Sequence, residues 1–321
     1  MNDLRSRPRF FSSSLPAGFA TLALGLGISL VPALGCREGG ADLAAAPGSV
    51  SPVPGAGALG AAGLATTRAA AVMPPGAAPG APPAATRMAM PAPEPPPPPA
   101  APPGVPPKGP DPRAGKFTLA DALKGLGGKT DGKLTATLET TMGTFHCDLW
   151  DKLAPNTVAN FVGLARGVRE WADPATGAWV KRPFFDGLGF HRVIPGFMIQ
   201  GGDPFTAGWL DGKAGFANPG TGNPGYKFDD EIHAENHFAG AGFLAMANAG
   251  VRDGHGTNGS QFFVTINPDL TRLDAKHTIF GKCAELDLAT AIAGVPRYTL
   301  GPYRDRPITP VGIKKVTITR D

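Results

Sequence analysis

Apolar and polar residues alternate along two neighbouring runs in the middle of the chain. KLTATLET, at residues 133–140, and TFHCDLW, at residues 144–150, each place an apolar residue at every second position. This period of two is typical of a β-strand with one buried face. Because only three residues, TMG, separate the two runs, the pattern predicts a β-hairpin.

Helical spacing replaces this alternation after the hairpin. Pro155 suits the first position of a helix, apolar residues follow at positions 158, 161, 162 and 165, and Gly167 ends the pattern. A second helix is predicted around DLATAIAGV, and a short lead-in helix, TLADALKGL, begins with Thr118 as its cap. We expect the lead-in helix to lie outside the core.

The sequence after Gly167 consists mainly of short apolar runs separated by Gly, Pro and Asn-Gly. These runs are GLGFHRVI, GFMIQGG, GFLAMANA, QFFVTIN, HTIFGKC and VGIKKVTI. Many short strands beside only two core helices predict an all-β dominated fold, a closed antiparallel barrel. Residues 116–321 are enough for one such domain with a substantial core.

The first 36 residues have the features of a bacterial-type export signal. Three arginines among the first nine residues precede a stretch without charge that runs from Phe10 to Cys36. The length also permits an uncleaved transmembrane anchor. The glycines and the proline of the stretch make a poor membrane helix, so we predict cleavage.

Cys36 ends the sequence ALGC, which resembles the lipobox at which bacterial lipoproteins are cleaved and diacylated. The resemblance implies a lipid on Cys36, which would hold the protein at a membrane by burying hydrocarbon. It also implies a location in the cell envelope, on the periplasmic side. The alternative is ordinary signal cleavage, which would leave a free periplasmic protein.

Residues 37–115 have the composition of a disordered, Ala/Pro/Gly-rich linker. They contain 21 of the 36 prolines and culminate in PEPPPPPAAPPGVPP. Such a segment has too little apolar surface to offset its ordering entropy, which predicts a flexible spacer. A ligand for an aromatic groove is less favoured, because no basic or aromatic specificity residues flank the prolines. A further hypothesis is an envelope scaffold in which this segment is the important part.

Charge argues against a nucleic-acid partner. The formal net charge is +4, of which residues 1–115 contribute +3 (8 basic, 5 acidic) and residues 116–321 contribute +1 (22 basic, 21 acidic). The predicted domain is therefore nearly neutral, and its sequence has no cluster of Lys and Arg of the kind that phosphate neutralisation requires.

Four segments of the predicted domain carry its most specific pattern. They are FHRVIPGFMIQGGD from Phe190, MANAG from Met246, NGSQFF from Asn258 and LDAKHTIFG from Leu273. In order and spacing they resemble the successive signature blocks of cyclophilins, and the resemblance runs from about Lys133 to the last strand. It implies an eight-stranded antiparallel barrel closed by two α-helices, and a peptidyl-prolyl cis-trans isomerase that needs no metal and no cofactor.

Arg192 matches the catalytic arginine of that family. A prolyl imide rotates slowly because its C–N bond has partial double-bond character, with a barrier near 20 kcal/mol. In the twisted state the nitrogen regains a lone pair, so a donor aimed at that nitrogen lowers the barrier. The guanidinium of Arg192 is permanently charged and forked, which suits this role.

The resemblance also implies nine substrate-binding residues in three groups. The apolar pocket for the proline ring comprises Phe197, Met198, Phe263 and Leu273. The positions that hydrogen-bond the substrate backbone are Gln200 and Asn248. The further lining positions are Ala247, Gln261 and His277, and we assign the histidine to binding rather than to acid–base work.

Two features depart from the family's usual pattern. Arg272 stands where many members have a tryptophan before the leucine of the last block. We expect the loss of the indole to weaken binding of cyclosporin, a family inhibitor, more than catalysis. Residues 208–228 form a longer stretch than usual, and we expect it to reshape the rim of the pocket.

Two side-chain pairs allow a second interpretation. His233 and His237 are four residues apart with Glu231 nearby, which would suit a metal on a helix, but the Pro-Gly-rich surroundings favour a loop without metal. Cys147 and Cys283 lie on apolar faces of predicted strands, which predicts two buried free thiols. An oxidising compartment would permit a disulfide if their Cα atoms lay within about 7 Å.

Together these patterns predict an exported, lipid-anchored isomerase that acts on proline-containing polypeptides during folding in the cell envelope. A closed barrel has no free edge that requires a partner, so we predict a monomer. The alternative is a proline-binding chaperone or scaffold module whose catalysis is incidental. The presence of Arg192 favours the enzyme.

Overall fold

A computed structural model describes residues 95–98 and 100–321. In these ranges the chain forms three α-helices, α1 Leu119–Leu123, α2 Pro155–Ala165 and α3 Leu286–Ala293. The first four strands are β1 Leu134–Thr140, β2 Thr144–Leu149, β3 Trp171–Ala172 and β4 Trp179–Val180. The later strands are β5 Arg192–Ile194, β6 Met198–Gly201, β7 Phe243–Met246, β8 Phe262–Thr265, β9 Ile279–Cys283 and β10 Ile313–Arg320.

Eight of these strands form one antiparallel sheet in the order β10-β1-β2-β9-β7-β8-β6-β5, while β3 and β4 pair with each other. The concave face of the sheet holds the main core, where large side chains are fully buried. Phe161 of α2 lies at the centre of this core, with its ring 4.9 Å from that of Phe185 and 5.7 Å from that of Phe262. The helix therefore covers the interior of the sheet.

The prediction of eight antiparallel strands is confirmed, but the prediction of a closed barrel is wrong. No ladder joins the end strands β5 and β10. A single antiparallel bridge, Gly189 to Gly312, spans the gap just before each strand begins. A Cβ on Gly312 would lie 2.6 Å from the carbonyl oxygen of Leu188, so the two backbones meet at a point too close for side chains.

The two predicted core helices are present, and so is the lead-in helix, but the expectation that this helix lies outside the core is wrong, because Ala122 is fully buried in the main core. α2 begins at Pro155, and the chain turns away at Gly167, where φ is +67°. A Cβ there would lie 2.5 Å from the nitrogen of Pro183, so both the backbone angle and the packing require glycine. α1 begins with a reciprocal capping box between Thr118 and Asp121.

Cys147 and Cys283 form a disulfide, so the prediction of two free thiols is wrong and the alternative of a bridge is correct. The two residues are direct cross-strand partners of β2 and β9, and their Cα atoms lie 3.9 Å apart. Both side chains are buried in the main core. The sequence could not reveal this pairing because 136 residues separate the two positions.

Part of the predicted spacer packs against the domain. We call residues 100–115 the strap. The carbonyl of Pro102 accepts the N–H of Ala217 at 2.8 Å, and the N–H of Val105 donates to Pro174 at 2.7 Å. A Cβ on Gly104 would lie 2.6 Å from the ring of Phe205. The folded region therefore begins before the predicted boundary at residues 115 and 116, because main-chain groups attach the strap without burying much apolar surface.

Asp111 fixes the end of the strap. Its carboxylate accepts the N–H groups of Arg113 and Gly115 and a hydrogen bond of 2.8 Å from the guanidinium of Arg169. The side chain of Arg169 is only 3% exposed. Burial opposes ionisation of Asp111, but the hydrogen bonds from Arg113 and Arg169 hold its pKa below the usual value. The carboxylate is thus the main counter-charge of a buried arginine.

The predicted export signal and the possible lipid-bearing Cys36 lie outside the described residues. Within the described ranges, no helix has the length and apolar character that crossing a membrane requires.

We expect Asp111→Ala to lower the free energy of unfolding by about 2–4 kcal/mol, because Arg169 would stay buried without its closest carboxylate. Urea unfolding of the full chain measures the difference. Asp131→Ala, at an exposed position outside the strap, is the matched control and should change stability by less than about 0.5 kcal/mol. Equal effects of the two substitutions would show that the pairing of Asp111 with Arg169 contributes nothing to stability.

Candidate active site

The pairing of three strands places polar and apolar site residues in one line. Arg192 of β5 lies opposite Gln200 of β6, and Gln200 lies opposite Phe263 of β8. Directly paired residues of antiparallel strands point to the same face of the sheet. The neighbours Val193 and Ile199 are fully buried in the main core, so the line faces outward.

A second, smaller hydrophobic cluster lies under this outer face. Its buried members are Met198, Phe238, Phe243, Ala245, Phe263, Leu270 and Ile279, with Phe197, Ala247 and Leu273 packed against them. The rings of Phe238 and Phe263 stack with centres 6.0 Å apart. The outer face therefore has a preformed apolar floor, on which a small nonpolar ring can sit without water.

A cavity of about 350 Å³ opens above this floor. Nine of the ten residues predicted for catalysis and binding line it, namely Arg192, Phe197, Met198, Gln200, Ala247, Asn248, Phe263, Leu273 and His277. The tenth, Gln261, lies behind the wall and accepts a hydrogen bond of 3.0 Å from the amide of Gln200. The structure thus brings all ten predicted residues together from four segments of the chain.

Arg192 extends its side chain along the wall of the cavity. Its Nη1 lies 3.5 Å from Oε1 of Gln200, and its Nε lies 4.0 Å from the carboxylate of Asp305. Both contacts are at the limit of interaction, and the side chain is 44% exposed. The guanidinium is therefore oriented but still has donors free to meet a ligand.

His277 is held as a neutral ring at the edge of the pocket. Its Nδ1 lies 3.0 Å from the carbonyl oxygen of Met246, which fixes the proton on that nitrogen. The ring meets Phe263 edge to face with centres 5.4 Å apart. Burial lowers the pKa of His277, although the hydrogen bond to Met246 opposes the shift. This environment agrees with a lining role rather than with acid–base work.

Asn248 uses its side chain within the protein. Its Nδ2 donates to the carboxylate of Asp230 at 3.1 Å and to the carbonyl of Lys276 at 2.9 Å. Its Oδ1 accepts the N–H of Gly250. The amide therefore holds the turn after β7, which leaves main-chain groups of that turn to meet a peptide.

Asp203 holds the longer stretch, residues 208–228, next to the cavity through hydrogen bonds. Its buried carboxylate accepts the N–H groups of Phe205, Gly220 and Gly222. Burial raises the pKa of Asp203 to about 6, and the three N–H groups oppose the shift. Pro219 and Gly220, held in this way, line the cavity, which confirms that the longer stretch forms part of the rim.

Sequence reasoning missed several residues that line the cavity. They are His191, Pro302, Tyr303, Arg304 and Arg306. His191 directly precedes Arg192 in the first signature block, so the sequence could have indicated that it lies near the site. The other four follow α3, where no periodic pattern or motif marks them, and they reach the site through tertiary contacts alone.

His191 is buried, and in the described part of the chain neither ring nitrogen has a hydrogen-bond partner. Burial, together with the nearby charge of Arg192, lowers its pKa to about 3. The ring therefore stays neutral and forms part of the cavity wall beside β5.

The histidine pair considered for metal binding lies away from this cavity. His233 is exposed, while Nδ1 of His237 lies 2.9 Å from the carboxylate of Asp274. Across residues 95–98 and 100–321, no group of three or more His, Cys, Asp or Glu side chains is arranged to hold a metal ion.

Comparison with known proteins identifies the family. The family model described as cyclophilin type peptidyl-prolyl cis-trans isomerase/CLD matches residues 135–318. The chain belongs to this family. Its function is accordingly the cis–trans isomerisation of peptide bonds that precede proline. The matched range contains the whole cavity wall that the signature blocks supply.

The similar proteins are bacterial and eukaryotic isomerases. Peptidyl-prolyl cis-trans isomerase B of Streptomyces anulatus is 47% identical over 189 residues, which are 58% of this chain and 97% of the relative. Peptidyl-prolyl cis-trans isomerase A of Mycobacterium tuberculosis is 43% identical over 185 residues, 58% of this chain and 92% of the relative. A crystal structure of a cyclophilin-type isomerase from Cryptosporidium parvum is 28% identical with a TM-score of 0.45, covering 59% of this chain and 99% of that chain.

We expect His191→Phe to reduce the loss of folding stability that the domain shows as the pH falls. Between a pH of about 6.5 and about 3, the unfolded chain binds a proton on this imidazole that the native protein excludes. Because the unfolded state binds more protons, the free energy of unfolding of the parent falls by up to about 1.4 kcal/mol per pH unit of acidification in that window. The variant should lack this contribution.

Urea unfolding at about pH 7, 5.5 and 4.5 tests this expectation. A packing effect of the phenyl ring would shift stability equally at each pH and would not affect the comparison. His233→Phe, at an exposed position, is the control and should show a constant difference from the parent. A constant difference for His191→Phe as well would contradict the prediction.

Proposed function

We propose that Arg192 accelerates isomerisation by donating a hydrogen bond to the imide nitrogen of the substrate proline. The observation that carries this proposal is the position of a guanidinium with free donors on the wall of an apolar-floored cavity. In the twisted state the nitrogen gains a lone pair, and a donor already in place stabilises that state more than the planar ground state. No nucleophile and no proton transfer are required.

The substrate proline ring occupies the apolar pocket of Phe197, Met198, Phe263 and Leu273. Burial of the ring there removes water from the imide, which strengthens the hydrogen bond from the nearby guanidinium. Gln200 and the main chain at Asn248 bind the peptide backbone on either side of the imide. Gln261 fixes the amide of Gln200 through its hydrogen bond of 3.0 Å. The peptide is thereby held while one side of the bond rotates.

Arg192→Ala should lower kcat/KM for a proline-containing peptide by about 10²- to 10³-fold, the loss expected for one preorganised donor. Arg192→Lys should recover only part of this loss, because an ammonium lacks the planar fork. Isomerisation of a proline-containing peptide by the full chain is the measurement. Arg182→Ala, which changes an exposed arginine paired with Asp173, is the control, and a fully active Arg192→Ala would exclude the mechanism.

The proposed setting is the cell envelope, on the periplasmic side of a membrane. The export pattern before Cys36 supports this location, and so does the disulfide, because disulfides persist in oxidising compartments. We further propose that Cys36 is lipidated, and that the protein acts as a monomer on X-Pro bonds of extended or unfolded envelope polypeptides. The edge strand β5 supports the monomer, because it has only three residues and its Val193 N–H is already bonded to Asp305, so it offers little free edge to a second chain.

Expression of the full chain in a bacterial host tests the anchor. The protein should fractionate with membranes, and the intact mass should correspond to a chain that begins at a diacylated Cys36. Cys36→Ser should abolish the lipid and the cleavage at this residue. A soluble periplasmic protein or an unmodified Cys36 in the parent would contradict lipidation.

A further inference from the structure

The segment between α3 and β10 brings positive charge to the cavity. We call residues 296–307 the C-terminal turn. The N–H of Val193, next to Arg192 on β5, donates to the carbonyl of Asp305 at 2.8 Å. Within the turn, Tyr298 donates to the carbonyl of Arg306 at 2.9 Å. The first of these main-chain bonds attaches the turn to β5, and the second holds the turn together, so the backbone of the turn has a fixed position beside the cavity.

The charges on this wall are unbalanced. Of the described residues that line the cavity, three are arginines, Arg192, Arg304 and Arg306, and none is Asp or Glu. Arg272 adds a fourth positive charge at the edge, with its guanidinium 4.7 Å from the ring centre of Phe197. The nearby carboxylate of Asp305 is shared between Arg192 and Arg297, at 4.0 and 3.7 Å. The cavity, which we also call the groove because it is open along one side, therefore has an excess of positive charge.

Arg306 is the most sharply positioned of these cations. Its guanidinium carbon lies 3.7 Å from the ring centre of Trp209 and 5.8 Å from that of Tyr303. Trp209 is itself buried, and its indole N–H donates to the carbonyl of Ala214 at 3.1 Å. The surface on which the guanidinium rests is thus held in place from behind.

Arg306 also lacks an anionic partner. Half-burial lowers the pKa of its guanidinium, although the group remains charged at neutral pH. Among the described residues, no carboxylate lies within 4.0 Å of it. By contrast Arg182, which stacks on Trp171 at 4.7 Å, is paired with Asp173 at 2.8 Å. A partly desolvated guanidinium with unused donors in a binding groove is suited to receive a carboxylate.

We propose that the groove selects peptides with an Asp or Glu side chain within two residues of the proline, and that Arg306 binds this carboxylate. The proposal concerns the choice of substrate and rests on the isomerase activity of the same cavity. Arg192 is directed at the imide and Arg304 is exposed, whereas Arg306 combines a fixed position with free donors. Lysine or arginine at the same substrate positions is disfavoured by repulsion from this wall.

Matched pairs of proline-containing peptides test the proposal. One member of each pair carries Glu and the other carries Gln at the same position, because these residues differ in charge but little in shape. Four pairs cover the two positions before proline and the two positions after it. At low ionic strength the full chain should show a kcat/KM about threefold to tenfold higher for Glu at one of these positions. The preference should shrink at about 0.5 M salt, because the site is only half-buried.

Substitution then identifies the residue. In Arg306→Gln the Glu/Gln ratio should fall toward one, and in Arg306→Lys it should stay above one. Arg182→Gln, the stacked arginine outside the groove, should keep the parent ratio. The ratio compares two substrates of the same protein, so it remains interpretable when a variant loses part of its overall activity.

Two results would overturn the proposal. One is a Glu/Gln ratio near one at all four positions in the parent protein. The other is a parent-like ratio in Arg306→Gln, which would assign the preference to another cation. Loss of isomerisation with both Glu and Gln peptides in Arg192→Ala concerns the catalytic mechanism and is distinguishable from either result.

Discussion

When β5 pairs with β6 and β6 with β8, Arg192, Gln200 and Phe263 fall into one line across the sheet, and the rest of the site is organised around that line. Because side chains alternate between the two faces of a strand, a shift of one residue would turn Arg192 inward and expose Val193. The fully buried Val193 and Ile199 on the concave face prevent such a shift. The packing of the core thus determines where the guanidinium of Arg192 lies.

The two faces of the sheet differ in packing and in exposure to solvent. The concave face contains a dense group of aromatic rings that fixes the strands, whereas the outer face carries a smaller cluster that remains open above. An apolar floor beside a permanent positive charge would be costly in a closed interior, where the charge would lose its hydration. At the surface the guanidinium keeps part of its water, while the floor remains dry enough to receive a proline ring.

Local patterns in the sequence were sufficient for some elements. The alternation at residues 133–150 predicted the hairpin, and Pro155 and Gly167 predicted the limits of α2, because these features act over a few residues. The signature blocks predicted ten site residues, and the structure brings all ten together at one cavity. The blocks could not predict the C-terminal turn, whose place depends on contacts with distant residues, such as the hydrogen bond from Val193 to Asp305 and the stacking of Arg306 on Trp209.

Contacts between distant main-chain groups were the hardest to predict. The strap looked like a spacer because its composition offers little apolar surface, yet its carbonyl and N–H groups pair with the domain at Ala217 and Pro174. The prediction of a closed barrel failed for the same reason, because closure depends on main-chain groups that are distant in sequence. Apolar runs predicted strands at both ends of the sheet, but nothing in them shows that these ends would meet only around Gly189 and Gly312 rather than along a full ladder.

The disulfide between β2 and β9 encloses all ten site residues that the signature blocks predicted, although Arg306 and the rest of the C-terminal turn lie outside it. Cys147 and Cys283 stand before and after the whole range from Arg192 to His277, so the bond closes the catalytic segments into one covalent ring. A single proteolytic cut within that ring, for example in the long stretch at residues 208–228, would open the ring without releasing a fragment. Both halves of the site would stay attached to each other after such a cut.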